Sequence, residues 1–172
     1  MEVGLNLTGG WKSDKVWQIG RAEIMNDSAA SERAMSQTIT FHPIGRVERD
    51  AGDEGLSHNG LRARPARILL DPALSDGLMG LEPGSDIVVL YYLHRSSGYD
   101  LRVHPRGDPS RPLRGVFAVR SPRRPNPIGV TTARVLRVAG NLLEVVGLDA
   151  LDGSPVLDIK ARSSSFDSPY VG

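Results

Sequence analysis

Short apolar runs separated by Gly, Pro and Asp dominate this chain from about Ile39 onward. Ile39–Val47 reads as a strand broken by Pro43, and Ser57–Pro65 as a polar, basic loop. Ala66–Leu70 is a short apolar strand. Asp71-Pro72 then opens a helical turn over Ala73–Gly80, with Asp71 suited to the cap and Pro72 to the first helical position. Pro83-Gly84 marks a turn, and Asp86–Leu93, rich in β-branched and aromatic residues, reads as a buried strand. Asp100–His104 and Gly115–Arg120 read as strands on either side of the loop Pro105–Arg114. Thr131–Val138 and Asn141–Val146 flank Gly140-Asn141, a hairpin signal. Val156–Ala161, after the turn Asp152-Gly153, closes the series.

This pattern predicts a mainly β protein: a single antiparallel barrel of seven or eight short strands with one short helix. Closure into a barrel removes the exposed edges that short strands leave. A Rossmann unit needs a strand, a glycine-rich turn and a long helix in succession, and the sequence has no such unit. Residues 1–37 lack a sustained period and read as a poorly ordered extension, with a short helix over Trp17–Met25, ahead of a domain spanning 38–172.

The length of 172 residues suits one domain with a core. With no cysteine, disulfides, thiolate metal sites and cysteine nucleophiles are excluded. No apolar run approaches membrane-spanning length and no secretory signal opens the chain, so the expectation is a cytoplasmic protein without a membrane partner. His42, His58 and His104 lack ligand spacing to any carboxylate cluster, and no metal is expected.

The net charge of +1 hides an uneven distribution. Arg102–Arg137 holds nine arginines and one acid, Asp108. Such clustering suits an anionic partner, and it equally suits a solvated, loop-rich face. Within this stretch Pro122, Pro125 and Pro127 fall in six residues. Each fixes its own φ and pushes the preceding residue away from helix. The loop is therefore stiff, and it presents Arg120, Arg123, Arg124 and Asn126 with little entropy left to lose on binding. The same features also fit a plain connector between two strands.

Phe117–Gly129, read Phe-Ala-Val-Arg-Ser-Pro-Arg-Arg-Pro-Asn-Pro-Ile-Gly, resembles the signature of the TrmO-like family of tRNA N6-threonylcarbamoyladenosine methyltransferases. Pro43–Val47, Leu81–His94 and Leu148–Lys160 are similar, in order, to the family's opening strand, central strand and C-terminal motif. Where the family continues that last motif into Pro-Tyr, this chain has Ala161–Ser165.

The resemblance implies a β-barrel homodimer that methylates N6 of threonylcarbamoyladenosine beside the tRNA anticodon, using S-adenosylmethionine. It implies cofactor contacts from His94 and Arg95, from Arg120, Ser121 and Arg124, from Asn126–Val130 (Asn126, Pro127, Ile128, Gly129, Val130), and from Leu148, Asp149, Ala150 and Leu151.

Methylation of a weakly nucleophilic nitrogen benefits from proton removal. Asp158 is the candidate base, with Lys160 on the same strand face to tune it or contact phosphate. A surface ion pair is the competing reading of these two. RNA contacts are expected from Arg102, Arg106, Arg111, Arg114 and Arg123. Tyr91 and Tyr92 alternate on one strand, so one belongs to the core and the other is expected to face the site. Two other functions stay open. One is a methyltransferase of the same fold acting on another small molecule or RNA base. The other is a non-catalytic barrel that binds cofactor or nucleic acid.

Overall fold

The computed structural model describes residues 38–168. Met1–His42 and Pro43–Gly172 form two separate units; the second carries everything that follows. The extension expected over 1–37, with its helix at Trp17–Met25, lies outside the described residues, as do residues 169–172.

Six strands form the barrel. They are β1 (Gly45–Glu48), β2 (Ala66–Leu70), β3 (Asp86–Tyr92), β6 (Ile128–Ala139), β7 (Leu142–Val146) and β8 (Pro155–Ala161). They close in the order β1-β2-β7-β6-β3-β8, and every adjacent pair is antiparallel. The alternation seen in the sequence sets which side chains point inward. Ile68, Ile87, Val89, Val135, Leu143, Val145 and Val156 fill the interior, each no more than 1% exposed. A barrel of this size is packed by its own side chains, so a ligand site must lie at an end or on the outside.

The expectation of seven or eight barrel strands is corrected to six. The other two, β4 (Arg102–Val103) and β5 (Arg114–Gly115), pair only with each other. The strand expected over Gly115–Arg120 instead becomes a 3-10 turn at Val116–Ala118. Arg124 explains why: its Nη1 donates to the carbonyls of Val116, Val119 and Ser121, acceptors that a strand would spend on a neighbour.

The single short helix is also corrected. The turn after Asp71 is a 3-10 helix, Pro72–Leu78, capped by the Asp71 carboxylate on the Ala73 amide as expected. Two short α-helices accompany it, α1 (His58–Arg62) and α2 (Ser164–Asp167). The segment read as a loop at Ser57–Pro65 contains α1. Gly60 disfavours helix there, but Ser57 caps it by accepting from the Gly60 amide at 3.2 Å, and Leu61 is buried beneath it. The hairpin at Gly140-Asn141 forms as expected, with Gly140 at φ +60 and the Asn141 side-chain Nδ2 donating to the Leu70 carbonyl.

Candidate functional site

The site lies where β3 and β6 end and the segment after β7 begins. Tyr91 is inward on β3 and 4% exposed. Directly across from it on β6 stands Gly129, which leaves room for the ring. A Cβ on Gly129 would overlap Tyr91. The ring therefore lies over the glycine and carries its hydroxyl to the end of the barrel. There Tyr91 Oη donates to Asp149 Oδ1 at 2.8 Å, and the Thr131 hydroxyl donates to the same oxygen. The opposite oxygen, Oδ2, faces His58 Nδ1 at 3.8 Å. Burial pushes the Tyr91 hydroxyl well above its ordinary pKa, and the Asp149 charge adds to this. Tyr91 is therefore a fixed donor, and Asp149 Oδ2, with the His58 ring near it but no hydrogen bond, is the oxygen left to meet a ligand.

Two cavities meet at this carboxylate. The first, about 480 Å³, is lined by Leu56, Leu61, Leu93, Leu151 and Pro122 on its apolar side. His58, His94, Arg95, Arg123 and Asp149, with several serines, supply its polar groups. The second, about 690 Å³, is lined by Asn59, His104, Arg106, Arg120 and Ser121 among others. Ser57, His58, Pro122 and Asp149 line both, and among the described residues Asp149 is the only carboxylate lining either.

His94 Nδ1 lies 3.3 Å from the Ser154 hydroxyl. Burial first, and then the Arg95 charge, hold its pKa below the ordinary histidine value of 6.5. The unfolded chain therefore binds a proton at His94 that the folded protein resists. Stability should fall as the pH drops through 6.5 toward the folded value. Urea unfolding at pH 7.5 and 5.5 checks this, with His94→Gln expected to reduce the pH dependence. An equal slope in the variant would remove His94 as its source.

The structure brings together only part of the site expected from sequence. His94, Arg95, Asp149, Ala150 and Leu151 line the first cavity, and Arg120 and Ser121 the second. Leu148 is fully buried behind them. Arg124, Asn126, Pro127, Ile128, Gly129 and Val130 line neither cavity. They build its frame: Arg124 holds the 3-10 turn, the Pro127 carbonyl accepts from the Leu93 amide at 2.8 Å, and the Val130 carbonyl accepts from Arg120 Nη1 at 3.1 Å.

Asp158 and Lys160 pair with one another at 2.6 Å on β8, while Ile159 between them packs on the core. The two therefore share a face, as expected, but it is the outer face of the barrel, and neither lines either of these two cavities. Of the arginines expected to meet RNA, Arg111 pairs with Asp108 and Arg123 with Asp100. Arg102, Arg106 and Arg114, on and around the β4–β5 ribbon, have no partner among the described residues, and neither has Arg95. Arg106 sits in the left-handed region at φ 62, rare for a side chain of its size.

Sequence reasoning missed Ser57, His58 and Thr131 as site residues, and left open which of Tyr91 and Tyr92 faces the site. The cap motif Ser57-His58-Asn59-Gly60 was the one available signal for the first two. Thr131 carries none, because it sits in an ordinary strand alternation. Arg49 and Asp53 were missed too. Both are buried: Arg49 donates from Nε to the Ala150 carbonyl at 2.6 Å and from Nη2 to the Leu148 carbonyl at 2.5 Å. Among the described residues no three or more His, Asp or Glu gather as a metal site, and no helix is long and apolar enough to cross a membrane.

Residues 56–168 match the model of the tRNA-methyltransferase O N-terminal domain. An S-adenosyl-L-methionine-binding protein of Archaeoglobus fulgidus is 50% identical over 135 residues, covering 75% of this chain and 93% of the relative. A probable S-adenosyl-L-methionine-binding protein of Methanothermobacter thermautotrophicus is 48% identical over 136 residues, covering 76% and 94%. The solved TrmO of Pseudomonas aeruginosa superposes with a TM-score of 0.59 at 29% identity, covering 77% of this chain and 59% of that one. This chain thus spans less than two thirds of the solved TrmO. A model match over most of the barrel, relatives matched over nearly their full length, and a shared fold place the chain in the tRNA-methyltransferase O N-terminal domain family.

Proposed function

We propose that this protein transfers a methyl group from S-adenosylmethionine to N6 of the adenosine beside the tRNA anticodon, with threonylcarbamoyladenosine as the acceptor. The observation that carries the reading is the pair of cavities joined at Asp149. The first offers an apolar wall, a guanidinium at Arg95 with no partner among the described residues, and a carboxylate whose Oδ2 makes no hydrogen bond. Those are the complements of an adenine face, an amino-acid carboxylate and a hydroxyl or ammonium donor, so the residues present fit the cofactor. Relatives named for binding S-adenosyl-L-methionine support this. A mouse tRNA (adenine(37)-N6)-methyltransferase, 42% identical over 95 residues that make up 22% of its length, supports the acceptor.

When bound, S-adenosylmethionine supplies a methyl group on a sulfonium that is its own leaving group. The chain's contribution is orientation. Leu56, Leu61, Leu93 and Leu151 exclude water from one face of the first cavity, and Arg95 and Asp149 fix the two polar ends of the ligand. Arg106 and Arg120 make the second cavity cationic, which suits an acceptor bearing carboxylate or phosphate. The proton-acceptor role for Asp158, with Lys160 beside it, requires a second copy of the chain to present this outer face to the cavities. A homodimer is therefore part of the proposal, as is a cytoplasmic location, where tRNA is found.

Mass spectrometry of nucleosides after incubating the protein with S-adenosylmethionine and threonylcarbamoylated tRNA tests the reading. The expected product is the N6-methylated threonylcarbamoyl nucleoside. Methylation of a different nucleoside would reassign the acceptor, a possibility that the Ala161–Ser165 segment favours. No uptake of cofactor would refute the enzyme itself.

The RNA surface has its own test. Replacing Arg102, Arg106 and Arg114 together with Ala should reduce the salt slope of tRNA binding by about 2 to 3. Cofactor affinity should not change. Arg123→Ala should change the slope less, because that guanidinium is already spent on Asp100. Filter binding across a salt series measures both.

A further inference from the structure

We propose that Arg49 is a positioning residue for the cofactor, acting through Asp149. This rests on the cofactor reading above and adds a group that touches neither cavity. Its side chain is 2% exposed. Nη2 and Nε hold the carbonyls of Leu148 and Ala150, the residues on either side of Asp149. Nη1 reaches the Leu61 carbonyl at 3.3 Å and Asp53 Oδ2 at 3.4 Å. Asp53, itself buried, has its other oxygen 2.6 Å from Arg64 Nε, an ion pair whose angle makes no hydrogen bond. The Arg49 amide donates to Asp152 Oδ1 at 2.8 Å, fixing the far end of the same segment.

One planar fork therefore ties two walls of the first cavity together. One wall is α1, which carries His58 and ends near Leu61. The other is the segment 148–150. Leu148 and Ala150 point into the core, 0% and 1% exposed, so the intervening Asp149 is turned toward the cavities. Tyr91 and Thr131 fix the Asp149 carboxylate from the barrel side, and Arg49 fixes its backbone from behind. Three carbonyls and a carboxylate converge on separate donors of one guanidinium. An ammonium is a single point charge and cannot reproduce that spread.

The test uses the full chain with two variants. Arg49→Lys keeps the charge and loses the fork. The double variant Arg49→Met with Asp53→Leu removes both charges, so no unpaired carboxylate is left buried. Circular dichroism establishes folding, and calorimetric titration with S-adenosylmethionine gives affinity. In both variants the Kd for S-adenosylmethionine should rise about tenfold from misplacement of Asp149, while the salt slope of tRNA binding, set by arginines that Arg49 does not touch, stays unchanged.

A folded double variant with wild-type cofactor affinity would reduce Arg49 to a stabilising role and overturn the proposal. Wild-type affinity in Arg49→Lys would assign the effect to charge rather than to the fork, and would overturn it as well. If the double variant does not fold, Arg49→Lys decides alone. Absence of binding by the unsubstituted protein would overturn the functional reading and this proposal with it.

Discussion

Asp149→Asn is expected to weaken S-adenosylmethionine binding about a hundredfold, equivalent to about 3 kcal/mol for loss of a charged hydrogen-bonding group. The substitution keeps the shape of the side chain. Its remaining oxygen can still accept from Tyr91 and Thr131, so the barrel end stays intact. What changes is the atom at Oδ2: an acceptor bearing charge becomes a neutral donor at the junction of the two cavities. Titration calorimetry reads the affinity, and thermal unfolding should move by no more than about 4 °C, the shift expected for roughly 1 kcal/mol in a domain of this size. An unchanged Kd would mean that the ligand sits away from Asp149, and the assignment of the first cavity would have to be abandoned.

The second large effect is one of packing. Gly129→Ala should destabilise the fold by about 1–3 kcal/mol, the range for overpacking a filled core. Gly129 faces Tyr91 across the β3–β6 ladder, and the added methyl would overlap ring carbons. Tyr91 is 4% exposed and cannot swing outward. Displacing the ring also withdraws its hydroxyl from Asp149, so cofactor affinity should fall together with stability. Tyr91→Phe separates the two effects. It removes the hydrogen bond without any overlap and should cost about 1 kcal/mol in stability. Urea unfolding of both variants measures the difference. A Gly129→Ala protein as stable as wild type would show that the ring has room to move, contrary to the geometry here.

These two residues also mark where sequence reading succeeds and where it stops. Gly129 belongs to the Pro-rich segment singled out from sequence, but its work is to accommodate a tyrosine on another strand. Arg124 belongs to the same segment and was expected at the ligand. Its guanidinium is spent on three carbonyls of its own loop. The stiff loop is real in its consequences: Pro122 lines both cavities, and the Pro127 carbonyl pins the end of β3. Which of its donors stay free is a tertiary matter, settled by where carbonyls and carboxylates from other segments lie. Arg123 shows the same rule, paired to Asp100, 23 residues earlier in the chain.

By itself the sequence determined what local chemistry controls. The period-two alternation set the inward faces of β2, β3, β6 and β7. Asp71-Pro72 and Gly140-Asn141 set their turns, and the motif of Phe117–Gly129 pointed to the family. The tertiary structure alone decided the count of barrel strands, because closure depends on which distant edges pair. It alone placed Asp158 and Lys160 on the outer face, and it alone assembled Arg49, Tyr91, Thr131 and His58 around Asp149. Those groups come from segments as far apart in the chain as Arg49 and the 148–150 stretch that it holds. No periodicity along one chain can encode a convergence that arises only when the sheet curves shut.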